Sequence, residues 1–166
     1  MRHAVFATLV LVAGCATPYQ KMGFGGGYDD FRVTENEFEI TFRGNGHTAQ
    51  EQVSRYVLRR ASEVTLQNGY THFEPMAEQD RTRVGYYHAS HGTAYAPRGT
   101  RTVYGSSSGY SKPIVKPAKA VRIRCYKPPL PQVEGLVDAE AFLRYNYPEA
   151  LVQRESGAAS SRPAKE

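Results

Sequence analysis

The sequence predicts an α+β domain: a small sheet of at least three strands packed on one long helix, with a short C-terminal helix and a long basic Tyr/Gly/Ser-rich loop. Three observations carry this. Phe38, Ile40 and Phe42 alternate with Glu37, Glu39, Thr41 and Arg43, the period of a strand with one buried and one wet face. Val53, Val57, Ala61 and Val64 fall within roughly 80° of one another on a helix at 100° per residue, which makes one apolar stripe. Val121, Ile123 and Cys125 alternate with Arg122, Arg124 and Tyr126, a second half-buried strand. Neither a striped helix nor a one-faced strand can bury its apolar side alone, so the two must meet.

The chain opens with Met1-Arg2-His3, then runs apolar from Ala4 to Val12 except for Thr8, and ends in Ala13-Gly14-Cys15. A positive start, a short apolar run and small residues form a secretory signal, here residues 1–14. As a helix the apolar run reaches only about 14 Å against a hydrocarbon core of roughly 30 Å, too short for an anchor that spans. Residues 15–30, with Thr17-Pro18 and Gly23-Phe24-Gly25-Gly26-Gly27, show no period and read as a flexible tether. The glycine run has no strand before it and no helix or Lys-Ser/Thr after it, so a phosphate loop is not indicated.

A single domain is expected over residues 31–150. Gly44-Asn45-Gly46 ends the first strand, Thr48 and Glu51 stand at capping-box spacing, and the helix runs to about Gln67, closed by Asn68-Gly69. Tyr70–Glu74 reads as a short strand that Pro75 discourages from continuing centrally. Residues 77–118 hold five Tyr and five Gly with few aliphatics, and are expected to be a mobile loop with room for one loose hairpin. Lys119–Lys127 is the next strand, stopped by Pro128-Pro129. Asp138 caps a last helix, with Val137 and Phe142 as its hydrophobic staple, and Pro148 ends it. Residues 151–166 read as a disordered tail.

Charge is unevenly placed. Residues 15–80 carry six Lys/Arg and ten Asp/Glu, whereas 81–133 carry ten Lys/Arg and no acidic residue. The central block is therefore the candidate surface for anionic partners, and Arg81, Arg83, Arg98, Arg101, Lys112 and Lys116 are its contact residues. Gly105-Ser106-Ser107-Ser108-Gly109 formally fits G-x-S-x-G, but Lys112-Pro113 blocks the helix a nucleophile elbow needs and no His follows. His88 and His91 are the weak candidates for a metal; their three-residue spacing suits ligation only on a helix, and no Cys, Asp or Glu is near. No metal, cofactor or catalytic residue is assigned, and the chain is not read as an enzyme. Cys125, placed in a strand interior, is expected to be a buried thiol.

Val12-Ala13-Gly14-Cys15 resembles the lipobox of bacterial lipoproteins. The resemblance implies cleavage before Cys15 and a covalent lipid on it, with acyl chains that hold the protein to a membrane. Ala16 rather than Asp in the next position implies the periplasmic face of the outer membrane rather than the inner membrane. Thr17-Pro18-Tyr19-Gln20, Gly27-Tyr28-Asp29-Asp30, Phe42-Arg43-Gly44-Asn45, Arg60-Ala61-Ser62-Glu63-Val64-Thr65 and Asn68-Gly69-Tyr70-Thr71-His72-Phe73 together resemble a family of small alphaproteobacterial lipoproteins, over about residues 1–75. Ser62 and Val64 depart from the family's usual Ala and Leu. The resemblance implies a location and a fold; it supplies no activity. The expected function is a structural or interaction lipoprotein of the cell envelope, with anionic envelope polymers or an envelope protein as partner and no nucleic acid. The alternative is a periplasmic binding module for a metal or small ligand.

Overall fold

The computed structural model describes residues 16–96, 98, 99, 101, 103–152 and 154. The expected signal peptide, Cys15 and nearly all of the expected tail lie outside these residues. Nine elements follow in order: β1 (Gly27–Arg32), β2 (Glu37–Arg43), α1 (Gln50–Gln67), β3 (His72–Asp80), β4 (Arg83–Tyr95), β5 (Tyr104–Lys116), β6 (Ala118–Tyr126), β7 (Val137–Asp138) and α2 (Ala139–Asn146). A five-stranded antiparallel sheet has the order β1-β2-β6-β3-β7, and β4 and β5 form a second sheet of two strands.

The predicted fold class is corrected on two points. The chain is sheet-rich, at 46% strand against 24% helix, with two antiparallel sheets and short helices. The expected long loop is instead the β4–β5 hairpin, thirteen residues to a strand. Aliphatic content was the misleading signal. A ribbon with both faces in water needs none, because its backbone groups are satisfied by its own ladder. The second correction is the helical layer. No single long helix covers the sheet: Leu143 of α2 is buried beside Val57 and Val64 of α1, and Ala150 and Leu151 pack on the same core. α2 ends at Asn146, ahead of Pro148 as expected, and after Tyr147 the chain is helical again over 148–152.

The core lies between that layer and one face of the larger sheet. Phe38, Ile40 and Phe42 of β2, Phe73 of β3, and Val121, Ile123 and Cys125 of β6 meet Val53, Val57, Ala61 and Val64 there. Cys125 is a buried free thiol whose Sγ lies 3.4 Å from Thr65 Oγ1, and burial raises its pKa. β3 runs through Pro75 because a bulge falls between Pro75 and Ala77, and because β7 pairs only with His72 and Phe73. Among the described residues the strand has a free edge beyond Phe73, where a missing N–H costs no ladder bond.

Residues 15–30 are not a tether in the described part. Gly27–Asp30 belong to β1, and the preceding loop is fastened to the body. Thr17 is buried; its N–H donates to Thr48 Oγ1 at 3.0 Å, and its hydroxyl accepts from Asn45 N at 2.9 Å and donates to Gly25 O at 2.8 Å. This also explains why the predicted capping box is absent. The helix N-cap is Ala49 with no side-chain cap, since the Thr48 hydroxyl is taken by Thr17 and Asn45. Asp138, by contrast, caps α2 as expected, accepting from Ala141 N at 2.9 Å. Gly69, at φ +75°, closes α1 with Tyr70 N–H donating to Thr65 O.

Candidate functional site: a cationic cleft at the root of a hairpin arm

The β3–β6 ladder ends at Asp80 opposite Lys119, and the β4–β5 ladder begins at Arg83 opposite Lys116. Pro117 lies between, without an N–H, so the ladder breaks there. Its carbonyl is instead taken by Gly44 N at 2.8 Å, and Arg81 N donates to Ala118 O across the joint. Gly46 lets the arm seat: a Cβ there would lie 2.5 Å from Ile114 Cγ2. Beyond this root both strands are exposed almost throughout. At about 3.4 Å per residue the arm is roughly 40 Å long.

Register sorts the arm into two faces. Cross-strand partners share a face and successive residues alternate. Arg83, Tyr87, Tyr95 and their partners Lys116, Lys112 and Tyr104 stand on one side, with Tyr110 opposite Ala89. Val84, Tyr86 and His88 stand on the other, opposite Val115, Pro113 and Ser111 of β5. Tyr87, Tyr95, Tyr104 and Tyr110 are each more than half exposed. Arg98 and Arg101 lie in the tip between Tyr95 and Tyr104.

At the root, Arg83 and Lys116 join Arg43 around a cleft of about 280 Å³, whose far wall is the turn from Met22 to Gly26. No carboxylate lines it. Among the described residues the ion pairs involve none of these three cations. Two like charges directly opposite on neighbouring strands repel, and here a third comes from the end of β2. Phe24 projects from the turn, fully exposed. The arrangement can hold an anion beside an apolar side chain.

The six predicted contact residues are thus divided. Arg83 and Lys116 come together; Lys112 lies farther along the same face; Arg98 and Arg101 are at the tip. Arg81 is withdrawn, because its guanidinium pairs with Glu39 at 3.0 Å. Lys119 and Arg124 of the same basic block are likewise matched, by Glu78 and Glu37. Sequence reasoning missed Arg43 and Phe24. Arg43 reads as the wet end of a strand, and only the β2–β6 register brings it to the arm.

A larger recess of about 500 Å³ lies on the helical side, lined in part by Tyr19, Arg59, Arg60 and Glu63. Its charges are spent on one another. Arg60 pairs with Asp30 and Glu63, Arg59 with Glu63 and Glu149, and Tyr19 Oη donates to Glu63. Arg59 lies over the Tyr19 ring at 4.0 Å and Arg60 over Tyr28 at 4.6 Å. Burial, followed by the Glu63 hydrogen bond, raises the Tyr19 pKa. This network is a latch that clasps the N-terminal segment to α1.

The expected metal pair is separated: alternation puts His88 and His91 on opposite faces of β4, so they cannot share an ion. His88 Nδ1 is 2.6 Å from Ser111 Oγ, with Tyr86 stacked on the ring. Among the described residues no group of three or more His, Cys, Asp or Glu could hold a metal. The G-x-S-x-G segment lies within β5, where Ser107 faces Gly92 and Ser106 shares a hydrogen bond with Thr93. No turn exposes a serine there as an elbow does.

No family model, no curated protein and no solved structure matches the chain. No helix among the described residues is long and apolar enough to cross a membrane.

Proposed function

We propose that the protein is a lipid-anchored lipoprotein of the bacterial cell envelope, held through Cys15 at the periplasmic face of the outer membrane. Its role is structural or interactive, not catalytic, and its arm is the contact element. The lipobox-like Val12-Ala13-Gly14-Cys15 carries the anchor. What supports the interaction role is the face of the arm that Arg83, Lys112 and Lys116 share with Tyr87, Tyr95, Tyr104 and Tyr110, where Arg83 and Lys116 have no ion-pair partner among the described residues. Such a surface favours polyanions, with an attraction that salt screens beyond about 8 Å at physiological ionic strength.

The test is mass spectrometry of the mature N-terminus together with in-cell crosslinking from the arm. Acylated Cys15 and crosslinks from Lys112 or Tyr110 to envelope components are the expected results. A full-length soluble species without acyl groups would refute the anchor.

A further inference from the structure

The N-terminus, the cleft and the arm meet at one end of the sheet. Thr17 bonds to Asn45 and Thr48, a Cβ on Gly26 would touch both Arg43 and Thr17, and Gly44 bonds to Pro117 at the joint of the arm. Gly44 and Asn45 also line the cleft. Cys15 is two residues before Thr17, a reach of at most about 7 Å. An acyl chain on Cys15 therefore puts the cleft at the surface of the leaflet that holds it.

From these placements we infer that the cleft and the Tyr87/Tyr110 face of the arm lie on the protein's own leaflet. There Arg43, Arg83 and Lys116 take the phosphate groups of anionic phospholipids. For location this rests on the anchor proposed above; the binding chemistry does not. Three cations within one cleft and Lys112 beyond it match a negatively charged surface, each contributing through short-range attraction. Tyrosine, with an apolar ring and a polar tip, suits the headgroup level, and Phe24 stands beside the cleft to enter the boundary. The arm cannot enter the hydrocarbon, because the outer edges of β4 and β5 carry backbone groups that lipid would leave unsatisfied. Lying flat is the arrangement that keeps those edges wet. The other face of the arm, with Val84 opposite Val115, Tyr86 opposite Pro113 and His88 opposite Ser111, would then look toward water.

The experiment uses the unacylated chain from Ala16 onward, which contains every core residue, so lipidation does not enter the result. Co-sedimentation with vesicles of equal phosphatidylglycerol and phosphatidylcholine is compared with phosphatidylcholine alone. Binding to the anionic vesicles only, weakened roughly tenfold or more by R43Q/R83Q/K116Q, is expected. The chain contains no tryptophan, so a single reporter can be placed at Tyr87 or at its neighbour Tyr86. These two stand at the same height on opposite faces, and the twist of the ribbon does not separate them. On adding anionic vesicles the emission of Tyr87→Trp should shift to the blue while that of Tyr86→Trp stays. Equal shifts, a shift at Tyr86→Trp alone, or undiminished binding of the triple variant would overturn the inference. So would equal binding to isolated peptidoglycan sacculi with the same loss in the triple variant. An acylated Cys15 combined with failure here would leave the anchor standing and remove only the leaflet contact.

Discussion

The body and the arm are built from the same kind of antiparallel ladder, yet they treat charge in opposite ways. On the outer face of the five-stranded sheet, Glu37 pairs with Arg124 and Glu39 with Arg81, and Tyr126 donates to Glu74; at the rim of the other face Glu78 pairs with Lys119. On the arm, Arg83 and Lys116 stand directly opposite each other without a carboxylate. Core residues come from the body alone. Stability therefore resides in the body, while unpaired cations gather on the arm and, through Arg43, at its root, which is the division expected when a surface is kept for something outside the chain.

The sharpest way to test this division is to break the body. Val57→Asp should abolish the cooperative melt, since a buried unpaired carboxylate costs several kcal/mol against a total of roughly 5–15 kcal/mol. Ser54→Ala should melt as the parent does. If thermal denaturation of Val57→Asp falls within a few degrees of the parent, the core has been wrongly placed.

Next in size is the latch. Arg60→Ala leaves Asp30 without its partner and takes one from Glu63, and should cost about 2 kcal/mol in urea denaturation, as for a hydrogen bond between charged groups. A midpoint equal to the parent's would show that the clasp on the N-terminal segment does not bear on stability. A smaller effect is visible only in alkali. The Tyr19 pKa is raised in the fold, so its contribution is fully present below the unfolded value of about 10 and is lost as pH rises above it. Tyr19→Phe should show a shallower loss of stability above that pH than the parent. A parallel decline in both would assign the titration to other tyrosines, such as Tyr147, whose pKa burial also raises.

The smallest expected change follows replacement of residues 84–115 by a short Gly/Ser linker. The melt should remain cooperative and shift by no more than a few degrees, because the segment supplies no core residue. Collapse of the transition would mean that the arm supports the body.

The alternation of Phe38, Ile40 and Phe42, the Val53–Val57–Ala61–Val64 stripe and the Asp138 cap were legible because each is a short-range pattern with one physical reading. The arm was not, since a ribbon wet on both faces lacks the apolar period that marks a strand. The nine-residue spacing of Tyr86, Tyr95 and Tyr104 was likewise uninformative. An odd interval puts Tyr86 and Tyr95 on opposite faces of β4, and Tyr104 is the cross-strand partner of Tyr95. The cleft was half legible: its arm cations were named, but Arg43 comes from a strand about 40 positions away in the chain, and only register unites them. The glycine-rich turn read as slack because its fastening depends on Thr48 and Asn45, which lie beyond any local window.

The joint at Pro117 makes the arm a ruler. Since the ladder is interrupted there and the root is fixed by Gly44, Gly46 and Ile114, residues can be added to or removed from β4 and β5 without disturbing the body. Each residue per strand changes the length by about 3.4 Å. Only even changes in each strand keep Tyr95 and Tyr104 on the side of Tyr87 and Tyr110. Reach can thus be set in steps of two residues per strand, and a related chain with a longer or shorter arm should differ from this one by those steps.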